Sequence, residues 1–212
     1  TLGDLNVLNA GSYDLFVMKL DPVGVHQWTM QTGTETDDDL YAVQIDSSGN
    51  IIAGGFTWGS FPPHTNNGAS RDILVLQLDT SGSTQWKFQT GSTSNEILWD
   101  LKVDASDDIV LAGWTEGQLD SVANAGQSDI YVMRLSNAGA TQWTFQTGSS
   151  GDDQGGHLGI DSSGNILVGG WTDGDLGNTN KGGTDIFVMQ LNSAGTQQWI
   201  FQTGTEGSEY LK

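Results

Sequence analysis

The residues of this sequence with most chemistry to offer are carboxylates. Asp37, Asp38 and Asp39 are consecutive, and Asp152 and Asp153 form a second cluster. Such side chains suit Ca²⁺, a hard cation that takes about 6–8 oxygen ligands. Each cluster offers part of that shell, with backbone carbonyls to add. Calcium is therefore the metal to consider at Asp37, Asp38, Asp39, Asp152 and Asp153, and no other cofactor is expected. No Asp-x-Asp-x-Asp-Gly loop accompanies them. Paired-carboxylate hydrolysis needs two carboxylates at a set separation across one bond, and nothing in the sequence sets it. His26, His64 and His157 fall at different phases of the pattern described below and make no metal constellation. There is no P-loop, no Ser-His-Asp order and no Gly-x-Gly-x-x-Gly leading into a helix. The chain reads as non-enzymatic.

Charge and composition narrow the partners. The 212 residues carry 26 Asp and Glu against 7 Lys and Arg, a formal net charge of −19. A polyanion meets repulsion on such a surface, so nucleic acid is excluded as a partner, and anionic membranes are disfavoured. The apolar runs, such as 73–76 and 109–112, are far too short for membrane insertion. The absence of Cys excludes disulfides, thiolate zinc sites and a Cys nucleophile. It also suits an oxidising medium. No Asn-x-Ser/Thr acceptor occurs, so N-glycosylation of that type is not expected. Thirty Gly with three Pro imply many turns, and eight Trp imply a packed interior.

The elements that position these side chains come from an internal repeat. Asp-Leu-Phe-Val-Met-Lys-Leu begins at Asp14, and its relatives begin at Asp72, Asp129 and Asp185, steps of 58, 57 and 56 residues. Gln-Trp recurs in phase at Trp28, Trp86, Trp143 and Trp199, followed by Gln-Thr-Gly ending at Gly33, Gly91, Gly148 and Gly204. Asp-Ser-Ser-Gly-Asn opens at Asp46 and Asp161, with Asp-Ala-Ser-Asp-Asp at 104–108.

Each unit predicts four short strands. The first covers 41–45, 99–103 and 156–160. There Val43, Leu101 and Leu158 share a face with the aromatic positions by period two. The second covers 51–56 and its copies. The third, 14–20 and its copies, is apolar at nearly every position and must be covered on both faces. The fourth sets Trp28 and Met30, or Trp and Phe in the copies, on one face. Four antiparallel strands per unit, covered on both sides, predict an all-β fold of β-propeller-type blades in tandem repeats of 56–58 residues. Comparison among the copies assigns the shared positions to architecture. Trp28, Trp86, Trp143 and Trp199 dock between blades. Asp14, Asp72, Asp129 and Asp185, each five residues after an Asn, cap turns.

At these residues the sequence resembles the SBBP family of β-propeller repeats. The resemblance rests on Asp161-Ser-Ser-Gly-Asn-Ile-Leu-Val-Gly-Gly-Trp-Thr, then Gly-Thr-Asp-Ile-Phe-Val-Met-Gln-Leu, then Gln-Trp. It runs through essentially the whole chain. It implies a propeller fold and a secreted or cell-surface location, and it implies no common enzymatic activity. Two departures stand out: 104–108 lacks the Gly-Asn of its siblings, and Pro62-Pro63 interrupts one loop.

By phase, Thr1 matches Thr57 and Lys212 matches Tyr41. The expected organisation is a half blade over 1–33 (third and fourth strands), blades over 34–91, 92–148 and 149–204, and the start of another over 205–212. Such a segment leaves two apolar blade faces open. They are expected to meet further repeats of a longer chain, or copies of itself, in a ring or a filament. The short Asp-x-x-Gly turns gather at one end of each blade. The longer loops, unlike one another in sequence, gather at the other end and hold much of the acid, including Glu35, Asp120, Asp173 and Asp175. The expected function is an extracellular scaffold, a building block of a surface assembly formed by self-association. The runner-up is a carbohydrate- or protein-binding module using the acidic loop face.

Overall fold

The computed structural model describes residue 3, residues 9–68 and residues 70–211. The phases assigned to Thr1 and Lys212 lie outside the described residues. Among the described residues there is no helix, only fourteen strands. A two-stranded sheet pairs β1 (Leu15–Leu20) with β2 (His26–Thr32). Three four-stranded antiparallel meanders follow. The first is β3 (Asp38–Ile45), β4 (Ile51–Thr57), β5 (Asp72–Leu78) and β6 (Thr84–Thr90). The second is β7 (Glu96–Val103), β8 (Ile109–Thr115), β9 (Asp129–Leu135) and β10 (Thr141–Thr147). The third is β11 (Asp153–Ile160), β12 (Ile166–Thr172), β13 (Asp185–Leu191) and β14 (Gln197–Thr203). In each sheet the strands lie in chain order, as in a propeller blade. They are called blades I to IV below.

The turns follow from their residues. Asp79 Oδ1 accepts the N–H of Ser81 at 2.8 Å and of Ser83 at 3.0 Å, and Asp21, Asp46, Asp104, Asp161 and Asn192 do the same in their turns. The residue three places on bends back with positive φ, 87° at Gly82 and 85° at Gly24. The turn without glycine puts Asp107 there at φ 61°. Its strain is offset by Ser47 of blade II, whose N–H and hydroxyl both donate to the Asp107 carboxylate, at 2.8 and 2.5 Å.

Blades stack face to face. Ile73, Val75 and Phe88 of blade II pack on Leu98, Tyr131 and Met133 of blade III in one apolar cluster. Ile130 and Val132 of blade III pack on Phe187, Met189 and Leu191 of blade IV in another. Leu15 of blade I packs on Leu74 and Leu76 of blade II. Strands covered on both sides, β5 and β8, are buried throughout.

Two local expectations are corrected. The first strands begin three residues earlier than their aromatic positions suggest, at Asp38, Glu96 and Asp153. Each then contains a bulge, with register shifts at Leu40/Ala42, Leu98/Asp100 and Gly155/His157. The extra residue breaks the period-two alternation. Leu98 and Leu101, three apart, both press on Gly54, while Trp99 stays 40% exposed. Val43 is 57% exposed where its counterparts Leu101 and Leu158 are buried, because no described strand of blade I lies over it.

Candidate functional site

Each predicted carboxylate has a definite place. Asp38 is buried at the start of β3, where its Oδ1 accepts the Thr57 hydroxyl at 2.5 Å and its Oδ2 accepts Thr34 N–H at 2.6 Å. Asp153 repeats this at the start of β11 with the Thr172 hydroxyl, Ser149 N–H and the Ser149 hydroxyl. Glu96, which no acidic run marks in the sequence, holds the same place in β7 with Thr115 and Ser92. These carboxylates tie the start of a first strand to the end of its neighbour strand. Asp37 accepts Tyr13 N–H, Asp152 accepts the Ser128 hydroxyl at 2.9 Å, and Asp39 lies in β3 beside Tyr41. Within each cluster the acids thus go to separate partners. Among the described residues no three His, Asp or Glu side chains converge as a metal group.

The recurrent Asp residues sit elsewhere. Gln31, Gln89, Gln146 and Gln202 each donate Nε2–H to the Asp seventeen residues earlier: Asp14, Asp72, Asp129 and Asp185, at 2.9–3.0 Å. The same amide group donates to Gly59 O, Gly117 O or Gly174 O, and its oxygen accepts the N–H of Phe61, Leu119 or Leu176. One glutamine per blade therefore fixes the loop between second and third strands. The loops share a Gly-x-apolar anchor that their overall sequences hide. Phe61 and Leu119 are buried, and Leu176 packs on the apolar cluster between blades III and IV. The signal was present in the Gln-Thr-Gly repeat and in Gly59, Gly117 and Gly174.

The Asp of one blade meets the acid of the next. A Cβ on Gly91 would stand 2.3 Å from Asp72 Oδ1 and 2.6 Å from Glu96 Oε2, and the glycine serves as a floor for both. Gly33 and Gly148 lie likewise under Asp14 with Asp38 and Asp129 with Asp153. Burial pushes Asp38, Asp72, Glu96 and Asp153 above their usual values. Hydrogen bonds oppose the shift, and the facing carboxylate adds to it for Asp38, Glu96 and Asp153.

The tryptophans form a ladder along the outer strands. Trp28 Nε1–H donates to Thr80 O at 3.1 Å and its ring covers Gly82. Trp86 treats Asn137 O and Gly139 in the same way, and Trp143 treats Ser193 O and Gly195. Trp199 is 43% exposed and donates within its own blade, to Gln190 Oε1 at 2.9 Å.

The inner strands form a cleft of about 510 Å³ lined by Trp99, Asp100, Gln154, His157, Trp171 and Leu211, among others. The bulge at Trp99 turns its ring to this side, against Tyr41 at 4.8 Å between centroids. Sequence reading missed the cleft because the bulged residues look like ordinary strand positions.

Comparison with known proteins agrees with this architecture. Residues 142–178, from β10 through β12 into the following loop, match the SBBP family, described as a beta-propeller repeat. The chain is 21% identical over 231 aligned residues to an uncharacterized WD repeat-containing protein, L264, of Acanthamoeba polyphaga mimivirus, covering 85% of this chain and 17% of that protein. It is 27% identical over 139 residues to the regulatory protein FlaEY of Caulobacter vibrioides, covering 60% of this chain and 15% of that protein. The match thus spans about a sixth of each relative's length. Fold and relatives together suggest a repeat scaffold or binding module.

Proposed function

We propose that the chain is a non-enzymatic repeat scaffold, secreted or at the cell surface, and a building block of an extracellular assembly formed by self-association. One observation carries this reading. Positions covered at every blade junction inside the chain are open on its two outer faces. Phe16, Met18 and Leu20 are 47%, 46% and 50% exposed, whereas their counterparts in blades II to IV are at most 4% exposed. On the opposite side Phe201 is 55% exposed where Phe88 is 8% exposed. An open apolar face of this kind favours a covering partner, whether further repeats of a longer chain or a second copy. The lack of cysteine and the −19 charge suit an exposed, oxidising location. Sedimentation velocity and electron imaging of the native protein test the reading. Regular particles or fibrils that grow with concentration are expected. A compact monomer at every concentration rejects it.

A second reading rests on the inner cleft. Its aromatic walls, with Asp100, Gln154 and His157, combine stacking surfaces with hydrogen-bonding groups, a combination suited to a carbohydrate. A glycan array with the wild type and Trp99→Ala tests this, and binding that ignores Trp99 rejects it.

A further inference from the structure

One cation of this acidic chain is held on aromatic rings rather than by acids. Thr57 and Asp72 are the last partners in the β4–β5 ladder, so Trp58 and Arg71 face each other just beyond it, both partly exposed. The Arg71 guanidinium lies over the Phe56 ring at 5.0 Å and over the Trp58 ring at 5.1 Å. Its backbone is pinned to blade III: its N–H donates to Asn95 Oδ1 at 3.3 Å and its O accepts Glu96 N–H at 2.9 Å. Among the described residues Arg134 pairs with Asp104 and Asp108, and Lys102 with Asp100, but no carboxylate pairs with Arg71. Its Nε–H is buried without an acceptor. The copies show that the blade itself does not need this pair. In blades III and IV, Glu116 and Asp173 stand in place of Trp58, and Ser128 and Thr184 in place of Arg71. An aromatic strip leads away from the guanidinium. The rings of Phe56 and Tyr41 lie 5.8 Å apart, those of Tyr41 and Trp99 4.8 Å apart, and Trp99 lines the inner cleft. Trp99 is 40% exposed although blades II and IV stand on either side of its own. All these residues belong to blades II and III, so their arrangement does not depend on what adjoins the first or the last residue.

We propose that Arg71 receives the carboxylate of an acidic sugar at the end of a glycan, whose neighbouring sugars lie along Tyr41 and Trp99. The planar fork of a guanidinium meets a carboxylate with two parallel hydrogen bonds. The rings of Phe56 and Trp58 hold that fork in place without consuming its donors. The exposed rings of Tyr41 and Trp99 offer flat apolar faces for sugars, and Asp39 beside Tyr41 offers an acceptor for their hydroxyl groups. The net charge of −19 repels a glycan charged on every sugar, as it repels nucleic acid, so a single terminal carboxylate on a neutral chain is the form that fits. The inference rests on the carbohydrate reading and names the sugar.

The test titrates the full chain with oligosaccharides ending in glucuronate or in N-acetylneuraminate, each beside its methyl ester. The proteins compared are the wild type, Arg71→Gln, Arg71→Lys and Trp99→Ala. The wild type is expected to bind one of the acids at least about tenfold more tightly than its ester. Arg71→Gln should bind acid and ester alike, at the level of the ester. Trp99→Ala should weaken both equally and keep the preference. Melting temperatures are measured alongside. Should Arg71→Gln lower its melting temperature, Arg71→Lys carries the test: it keeps a charge over the rings, lacks the fork, and should lose most of the preference. A wild type that binds only neutral glycans, or acid and ester equally, overturns the role of Arg71 and leaves the carbohydrate reading standing. A preference that both Arg71 variants keep does the same. A wild type that binds neither these sugars nor any glycan of the array overturns both, as does Trp99→Ala binding like the wild type.

Discussion

Asp72 and Glu96, from adjacent blades, point their carboxylates at the same spot above Gly91. Both are fully buried, and among the described residues Asp72 Oδ1 has no hydrogen-bond partner. Desolvation, and for Glu96 also the charge of Asp72, holds both above their usual values of 3.8 and 4.5, and Asp38 and Asp153 behave alike. Such groups bind protons more tightly in the folded chain than in the unfolded one. Their charged forms therefore cost stability above the raised values, and that cost disappears as pH falls into the ordinary carboxylate range. Relief of the −19 net charge acts in the same direction. The melting temperature is expected to rise on acidification from pH 7 toward about pH 5. At lower pH it falls, as the exposed turn carboxylates with lowered values, Asp79, Asp107 and Asp161, take up protons. Thermal melts monitored by circular dichroism check this, and Glu96→Gln should flatten the rise.

Trp143 and Trp199 occupy the same repeat position and should respond differently to truncation. Trp143→Ala uncovers Gly195 and loses the bond to Ser193 O. As the ring is half-buried, about half of the ~3–5 kcal/mol typical of core aromatics is expected. Trp199→Ala removes an indole that nothing from another blade covers and should change monomer stability by under ~0.5 kcal/mol. Urea unfolding of the two variants, under conditions where the chain is monomeric, measures the contrast.

Gln146 joins Asp129, Gly117 O and Leu119 N–H through one amide. Gln146→Leu leaves these buried groups unpaired, at roughly 1–3 kcal/mol for each group stranded. Gln146→Glu sets a carboxylate against Asp129. It should be the worse variant at neutral pH and recover on acidification, as melts at pH 7 and pH 5 would show.

The strand-two glycines lie opposite the bulges. A Cβ on Gly113 would stand 1.7 Å from Ile97 O, and on Gly55 1.9 Å from Asp39 O. Neither backbone can yield without losing the bulge. Gly113→Ala is expected at or above the upper end of the ~1–3 kcal/mol that overpacking costs, and it should widen the cleft beside Trp99. Equilibrium unfolding with tryptophan fluorescence reads both effects.

Calcium removal gives a further prediction. Both Asp38 oxygens and both Asp153 oxygens already accept hydrogen bonds within the blades. A chelator should therefore leave the melting temperature unchanged. A fall would place a metal at the loop ends.

The blades were legible because their signal is redundant. Trp, Asp and Gly recur in phase four times, and apolar alternation marks each strand between them. The bulges were not, since one extra residue looks like a change of phase. Tyr41 and Trp99 then read as strand starts rather than as side chains aimed inward. The Asp38, Glu96 and Asp153 clamp was hidden for a different reason. Its members differ in type, and two of them lie in acidic runs that suggest a shared ligand, whereas the fold sends neighbouring carboxylates to opposite sides of the strand. The Gln–Asp pair was visible as a fixed spacing of seventeen residues, but spacing alone does not say that the two side chains meet.

Each blade touches only the blades beside it, so cooperativity in this chain is a nearest-neighbour property. Strands β8 and β9 of blade III, buried at nearly every position, belong to a blade that lies between two others. Their amides should exchange with solvent last, while β1, β2 and β14 open first. Capping either end with one more blade would thus slow exchange in the blade it covers and leave the far end unaffected.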